Sequence, residues 1–96
     1  MLELRPSCEH CNVSLPPASL EARICTYECT FCAHCVEHVL DDVCPNCGGG
    51  FAPRPIRPAN KLIKNPASRK VIHSPVDVAK HRRYAVDFRT IPPQNR

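Results

Sequence analysis

Ninety-six residues allow one domain at most, and a chain with eight cysteines, eleven prolines and no tryptophan has little apolar material for a core. No stretch approaches the roughly 18 apolar residues of a transmembrane helix, which excludes a membrane-spanning role of that kind. The charge is split: residues 1–50 carry two basic and seven acidic side chains, net −5, and residues 51–96 carry eleven basic and two acidic, net +9.

In chain order, residues 1–7 alternate Leu2 and Leu4 with Glu3 and Arg5, the pattern of a short strand. They hold no apolar run before Cys8, so no secretory signal is expected. A reducing cytosol then favours metal over disulfides for paired cysteines. Cys8-Glu9-His10-Cys11-Asn12 and Cys44-Pro45-Asn46-Cys47-Gly48 read as zinc knuckles. In each, two thiolates grip one ion from a tight turn. Asn or Gly after the second Cys tolerates the positive φ that aims backbone N–H groups at sulfur. Pro16-Pro17 mark a loop, and Arg23 to Phe31 has the β-branched and aromatic content of a short β-ribbon.

Val36, Val39 and Leu40 give Ala33–Leu40 a helical stripe. Cys32 and Cys35 therefore fall at a helix N-terminus, where the macrodipole favours thiolate. The expected core is Val13, Leu15, Leu20, Ile24, Phe31, Val36, Val39, Leu40 and Phe51, too thin to offset the chain entropy of about 50 residues. Gly48-Gly49-Gly50 ends the compact part. Beyond it, Pro53, Pro55 and Pro58 interleaved with Arg54 and Arg57 favour extended backbone. Ser74-Pro75-Val76-Asp77 predicts a short helix over 75–86, with Ser74 as N-cap. The division expected is a two-zinc module over 1–52, an extended linker over 53–73 and a basic tail over 74–96.

The cysteines fall into four close pairs, C-x2-C-x13-C-x3-C-x2-C-x2-C-x8-C-x2-C. A knuckle facing a helix N-terminus is a treble-clef site. That puts Cys8, Cys11, Cys32 and Cys35 on one ion and Cys25, Cys29, Cys44 and Cys47 on the other, an interleaved cross-brace with two Zn²⁺ per chain. The alternative is sequential: Cys8, Cys11, Cys25 and Cys29, then Cys32, Cys35, Cys44 and Cys47. Tetrahedral all-sulfur sites also take iron. With two tetrathiolate zinc sites the front half carries about −9 against +9 behind.

The segment C-T-F-C-A-H-C…C-P-N-C is similar to a RING-type finger. More closely, C-E-H-C, A-R-I-C-T-Y-E-C-T-F-C, C-P-N-C-G-G and R-P-I-R-P resemble a family of short bacterial proteins, domain of unknown function 1272, over residues 1 to about 58. The resemblance implies a small α+β, RING-like zinc fold and a bacterial source, and it implies no activity. Glu9-His10 and Gly48 stand where RING ligases usually carry aliphatic and basic residues, so shared topology does not carry ligase function here.

His10 and His34 lie inside C-x-x-C grips and read as exposed turn histidines, His38 as part of a solvated helix face, and His73 and His81 as without special role. Sites closed by four thiolates leave no position for a reacting water, and no phosphate-cradling loop is present, so the chain is expected not to be an enzyme. The function expected is a scaffold for a protein partner or for its own tail. One alternative is nucleic-acid binding through Lys61, Lys64, Arg69, Lys70, Lys80, Arg82 and Arg83. Another is a zinc-thiolate redox sensor or zinc store.

Overall fold

The computed structural model describes residues 1–96 as a small α+β fold. Strands β1 (Ala22–Ile24) and β2 (Thr30–Cys32) form an antiparallel hairpin, with Arg23 opposite Phe31. The loop between them is closed by hydrogen bonds from Cys25 N–H to Cys29 O (3.2 Å) and from Glu28 N–H to Cys25 O (3.1 Å), with Glu28 at φ 63°. Helix α1 (Ala33–His38) follows β2 without a break. Strand β3 (Ala52–Pro53) adds to the other edge of β1, giving the order β2-β1-β3. Helix α2 (Val78–Ala85) and a 3-10 turn over Pro93–Asn95 complete the chain.

Helix α1 stops short of the stripe that predicts it. Asp41 and Asp42 adopt positive φ (52° and 57°) and turn the chain, while the Asp42 N–H returns to Val36 O at 3.1 Å. This closure satisfies a carbonyl at the helix end and still leaves Val36 and Leu40 buried.

Six of the eleven residues in the central buried cluster are cysteines; the others are Leu15, Ala22, Phe31, Val36 and Leu40. Phe51 packs edge-on against Phe31, ring centroids 5.5 Å apart. Three expected core members lie outside: Val13 is 47 % exposed, Leu20 is 77 % exposed, and Ile24 is only half-buried and apart from the central cluster. In their place Leu4, Ala22, Val43 and, from the far tail, Ala85 are buried. The N-terminal segment is not a strand either. Leu4 has φ 57°, which breaks the alternation and drops a single leucine into the core, and the only pairing there is a Ser7–Ser14 bridge.

Helix α2 is shorter than predicted and is capped elsewhere. The Asp77 carboxylate accepts from Lys80 N–H at 3.1 Å, so Asp77, not Ser74, is the N-cap. Ser74 lies outside the helix, its N–H donating to Glu9 O (2.8 Å), and two residues later Val76 N–H donates to His10 Nδ1 (2.9 Å). The backbone before α2 is thus tied to the first knuckle. The helix then buries His81 and Ala85, one turn apart on one face.

Candidate metal centre

The first cysteine group joins a turn to a helix start. Asn12 takes φ 64° and donates its N–H to Cys8 O (2.9 Å), which folds Cys8–Cys11 into a knuckle. Cys32 is the N-cap of α1 and Cys35 lies in its first turn. The four sulfurs of Cys8, Cys11, Cys32 and Cys35 all lie within 4.8 Å of one another, and Cys11 Sγ is 3.8 Å from Cys32 Sγ. A tetrahedron with metal–sulfur bonds of about 2.3 Å has edges of about 3.8 Å, while a disulfide bond is about 2.05 Å. The spacing suits coordination.

The second group contains Cys25, Cys44 and Cys47, again within 4.8 Å of one another. Cys29 lies outside that mutual limit yet beside the group, close enough that its thiol and charge act on Cys25 and its charge on Cys44. Gly48, at φ 77°, completes this knuckle, with its N–H on Cys44 O at 2.8 Å. Amide donors face the sulfurs: Tyr27 N–H to Cys25 (3.3 Å), Asn46 N–H to Cys44 (3.5 Å), Gly49 N–H to Cys47 (3.4 Å) and the Asn46 side-chain amide to Cys29 (3.3 Å). Such donors favour the thiolate form.

Burial opposes that form until a cation arrives. It pushes the Cys25 thiol up to about 11, and drives Cys35, Cys44 and Cys32 upward as well, with neighbouring thiolates adding like-charge repulsion. Cys11 is the exception. Burial raises it too, but the Val13 amide and its contacts with Cys8, Cys35 and Cys32 bring it below the ordinary value. A divalent ion reverses the balance by neutralising thiolates that the fold has already gathered. The donor set, the edge length and the amide donors all fit a soft, tetrahedral ion.

Several polar side chains lock this arrangement, and most were invisible as such in the sequence. Glu9, 5 % exposed, accepts from Arg5 Nη1 (2.8 Å) and from the Thr30 N–H, while its own N–H donates to Thr30 O (3.0 Å). The first knuckle is thereby stitched to β2. His10 is not a free turn histidine: its ring accepts from Val76, and its carbonyl pairs with His73 Nε2 at 3.1 Å. His81, expected to have no role, is 4 % exposed with Nε2 3.0 Å from Leu40 O.

The arginines of the R-P-I-R-P segment are clamps. Arg54, 4 % exposed, donates to the carbonyls of Arg5 (2.8 Å), Leu15 (3.1 Å) and Pro16 (3.0 Å). Arg57 donates to Leu2 O and Asn65 O. Arg96 reaches Asp42 O (3.0 Å) and Gly48 O (3.1 Å), and Arg89 pairs with Asp41. The remaining seven tail cations, Lys61, Lys64, Arg69, Lys70, Lys80, Arg82 and Arg83, are exposed, and none has an acidic partner within 4.0 Å. No helix is long and apolar enough to cross a membrane.

The model of the family described as "Protein of unknown function (DUF1272)" matches residues 1–57, which hold all eight cysteines and the two arginine clamps. The chain belongs to that family. It is similar to the uncharacterized protein R02474 of Rhizobium meliloti (strain 1021), 54% identical over 82 residues, 85% of this chain and 98% of the relative. An alignment of that length necessarily runs past residue 57, so the likeness to this relative includes part of the tail. No solved structure matches.

Proposed function

We propose that the protein is a non-catalytic, two-zinc scaffold with a RING-like cross-brace, its tail docked across the module and its outer surface presented to a protein partner. The observation that carries this reading is the interleaved sulfur grouping: Cys8 and Cys11 with Cys32 and Cys35, around a chain that also brings Cys25 to Cys44 and Cys47. On this reading Cys29 completes the second site. Full thiolate coordination closes both sites to a reacting water, which argues against an enzyme. Buried, crowded thiols suit a reducing, cytoplasmic setting. The test is native mass and elemental analysis of freshly purified, reduced protein. Two zinc ions per chain are expected; one ion, or iron, would overturn the two-zinc reading.

A second reading rests on the seven tail cations. The tail anchors itself through Arg54, Arg57, Arg89, Arg96 and His81, and none of the seven has an acidic partner within 4.0 Å, so those charges stay available. This supports an accessory nucleic-acid contact made through phosphates. Binding of the full chain to a short RNA or DNA should weaken steeply with salt, and the triple reversal K80E/R82E/R83E should flatten that slope. No binding at low salt removes this reading.

A further inference from the structure

Outside the cysteine groups, two histidines and a glutamate share the solvent face of α1. His34, Glu37 and His38 occupy positions i, i+3 and i+4, which share one side of a helix. All three are exposed. The two imidazole rings are 4.6 Å apart between centroids and tilted by 43°, and His38 Nε2 is 4.0 Å from the Glu37 carboxylate. Two imidazoles bound to one ion through bonds of about 2.0–2.1 Å place their ring centroids roughly 4.5–5 Å apart, according to the angle at the metal. The ring separation is therefore already that of a chelating pair. The carboxylate stands beside His38, where it can hold that imidazole in orientation; the three side chains do not bring one ligand atom each within 4.8 Å of one another, so the imidazole pair is the primary grip.

The surroundings favour a cation there. The half of the chain that carries α1 has net charge −5, and two tetrathiolate sites would take it to about −9. Divalent ions are drawn to such a surface. Unlike the buried thiols, this face is open to solvent, so an ion on it keeps water ligands and exchanges.

We propose that His34 and His38, assisted by Glu37, form a third, exchangeable site for a divalent transition metal such as Zn²⁺, on the outer face of α1. This goes beyond the two-zinc reading, whose failure would show as fewer than two tightly held ions before any titration begins.

The experiment titrates Zn²⁺ into reduced full-length protein already loaded with its tight metal complement, followed by calorimetry and by the imidazole ¹⁵N resonances. One further equivalent should bind, shifting the His34 and His38 signals and leaving those of His81 in place. His38→Ala, outside the cysteine grip, should weaken that step by at least about tenfold without loss of tight zinc. Glu37→Gln should weaken it by about tenfold, the size of effect typical of a group that orients a ligand. The double variant H34A/H38A should abolish the step. If the third equivalent binds the double variant as well as the parent, or shifts His73 instead, the assignment is wrong. Absence of any further step at millimolar Zn²⁺ also overturns it.

Discussion

The front module and the tail are both poor in apolar residues, yet they reach order by different means. In the front, six cysteines make up most of the central cluster, and side chains such as Leu15, Phe31 and Leu40 fill the gaps between them. The tail contributes only two buried side chains in α2, Ala85 and His81, and holds on mainly by hydrogen bonds to front-half groups: Ser74 to Glu9, Val76 to His10, His81 to Leu40 and Arg96 to Asp42 and Gly48. On the two-zinc reading the front depends on coordination, and the tail depends on the front. Order should therefore be lost asymmetrically: damage to the metal centres disorders both regions, while damage to the tail leaves the centres standing.

The largest effect tests this dependence directly. Structural zinc contributes about 10–16 kcal/mol per site in small finger peptides at neutral pH, as much as the whole stability of an ordinary domain. Chelation under reducing conditions should abolish the cooperative thermal transition and release the tail, seen as fast amide exchange at both Val76 and Phe31. Because burial holds the proton on Cys25, pushed up to about 11, and likewise raises Cys32, Cys35 and Cys44, refilling should release protons. Apparent zinc affinity should accordingly fall as pH is lowered. A chelated protein that keeps its cooperative melt would show that the core suffices without metal.

Next in size is Arg54. Its guanidinium feeds three carbonyls from two loops, and burial lowers its pKa. Arg54→Met strands those carbonyls and should cost about 3 kcal/mol, read as a lower urea midpoint of the metal-loaded protein. Arg54→Lys should recover only a minor part, because a point charge cannot reproduce a planar fork spanning three acceptors. Equal stability of the Lys variant and the parent would refute the clamp.

These two regions were not equally legible in the sequence. Cysteine spacing carries its own geometry: pairs two or three residues apart must sit in one turn, and Asn12 and Gly48 announce their positive φ by residue type. The hairpin and α1 followed from β-branched content and helical spacing over short, local windows. Arg54, His81 and Glu9 act over sequence separations of 21 to 49 residues, and nothing in their neighbours encodes a distant backbone partner. Pro-rich arginine segments ordinarily read as solvated linkers, so a buried clamp in one reads as a spacer. Leu4 was misplaced for a related reason: alternation predicts a strand only if no residue leaves the β region, and a left-handed leucine is unforeseeable from its side chain.

A smaller effect is expected where the regions meet at the second knuckle. A Cβ on Gly48 would lie 2.8 Å from the Tyr84 hydroxyl of α2, at a residue already at φ 77°. Gly48→Ala should cost about 1–2 kcal/mol from backbone strain, plus displacement of Tyr84. Combining it with Tyr84→Ala separates the two contributions. The double variant should lose less than the sum of the singles if the clash matters, and the full sum if only backbone strain does.

The smallest prediction decides where α2 begins. Sequence spacing nominates Ser74 as the cap, but in the fold the Ser74 N–H is committed to Glu9 O and the Asp77 carboxylate accepts from Lys80 N–H. Asp77→Ala removes the acceptor from an N-terminal amide and should cost about 1 kcal/mol, confined to α2 and visible as faster exchange of the Lys80 amide. Ser74→Ala keeps the backbone donor, removes a side chain that caps nothing, and should change stability by less than about 0.5 kcal/mol. Because α2 touches the module through His81 and Ala85, fraying of its first turn should leave zinc content unchanged in both variants. A larger loss from Ser74→Ala than from Asp77→Ala would move the cap back to the position that local sequence favours, and would mean that the tie between the tail and the first knuckle is weaker than helix propagation.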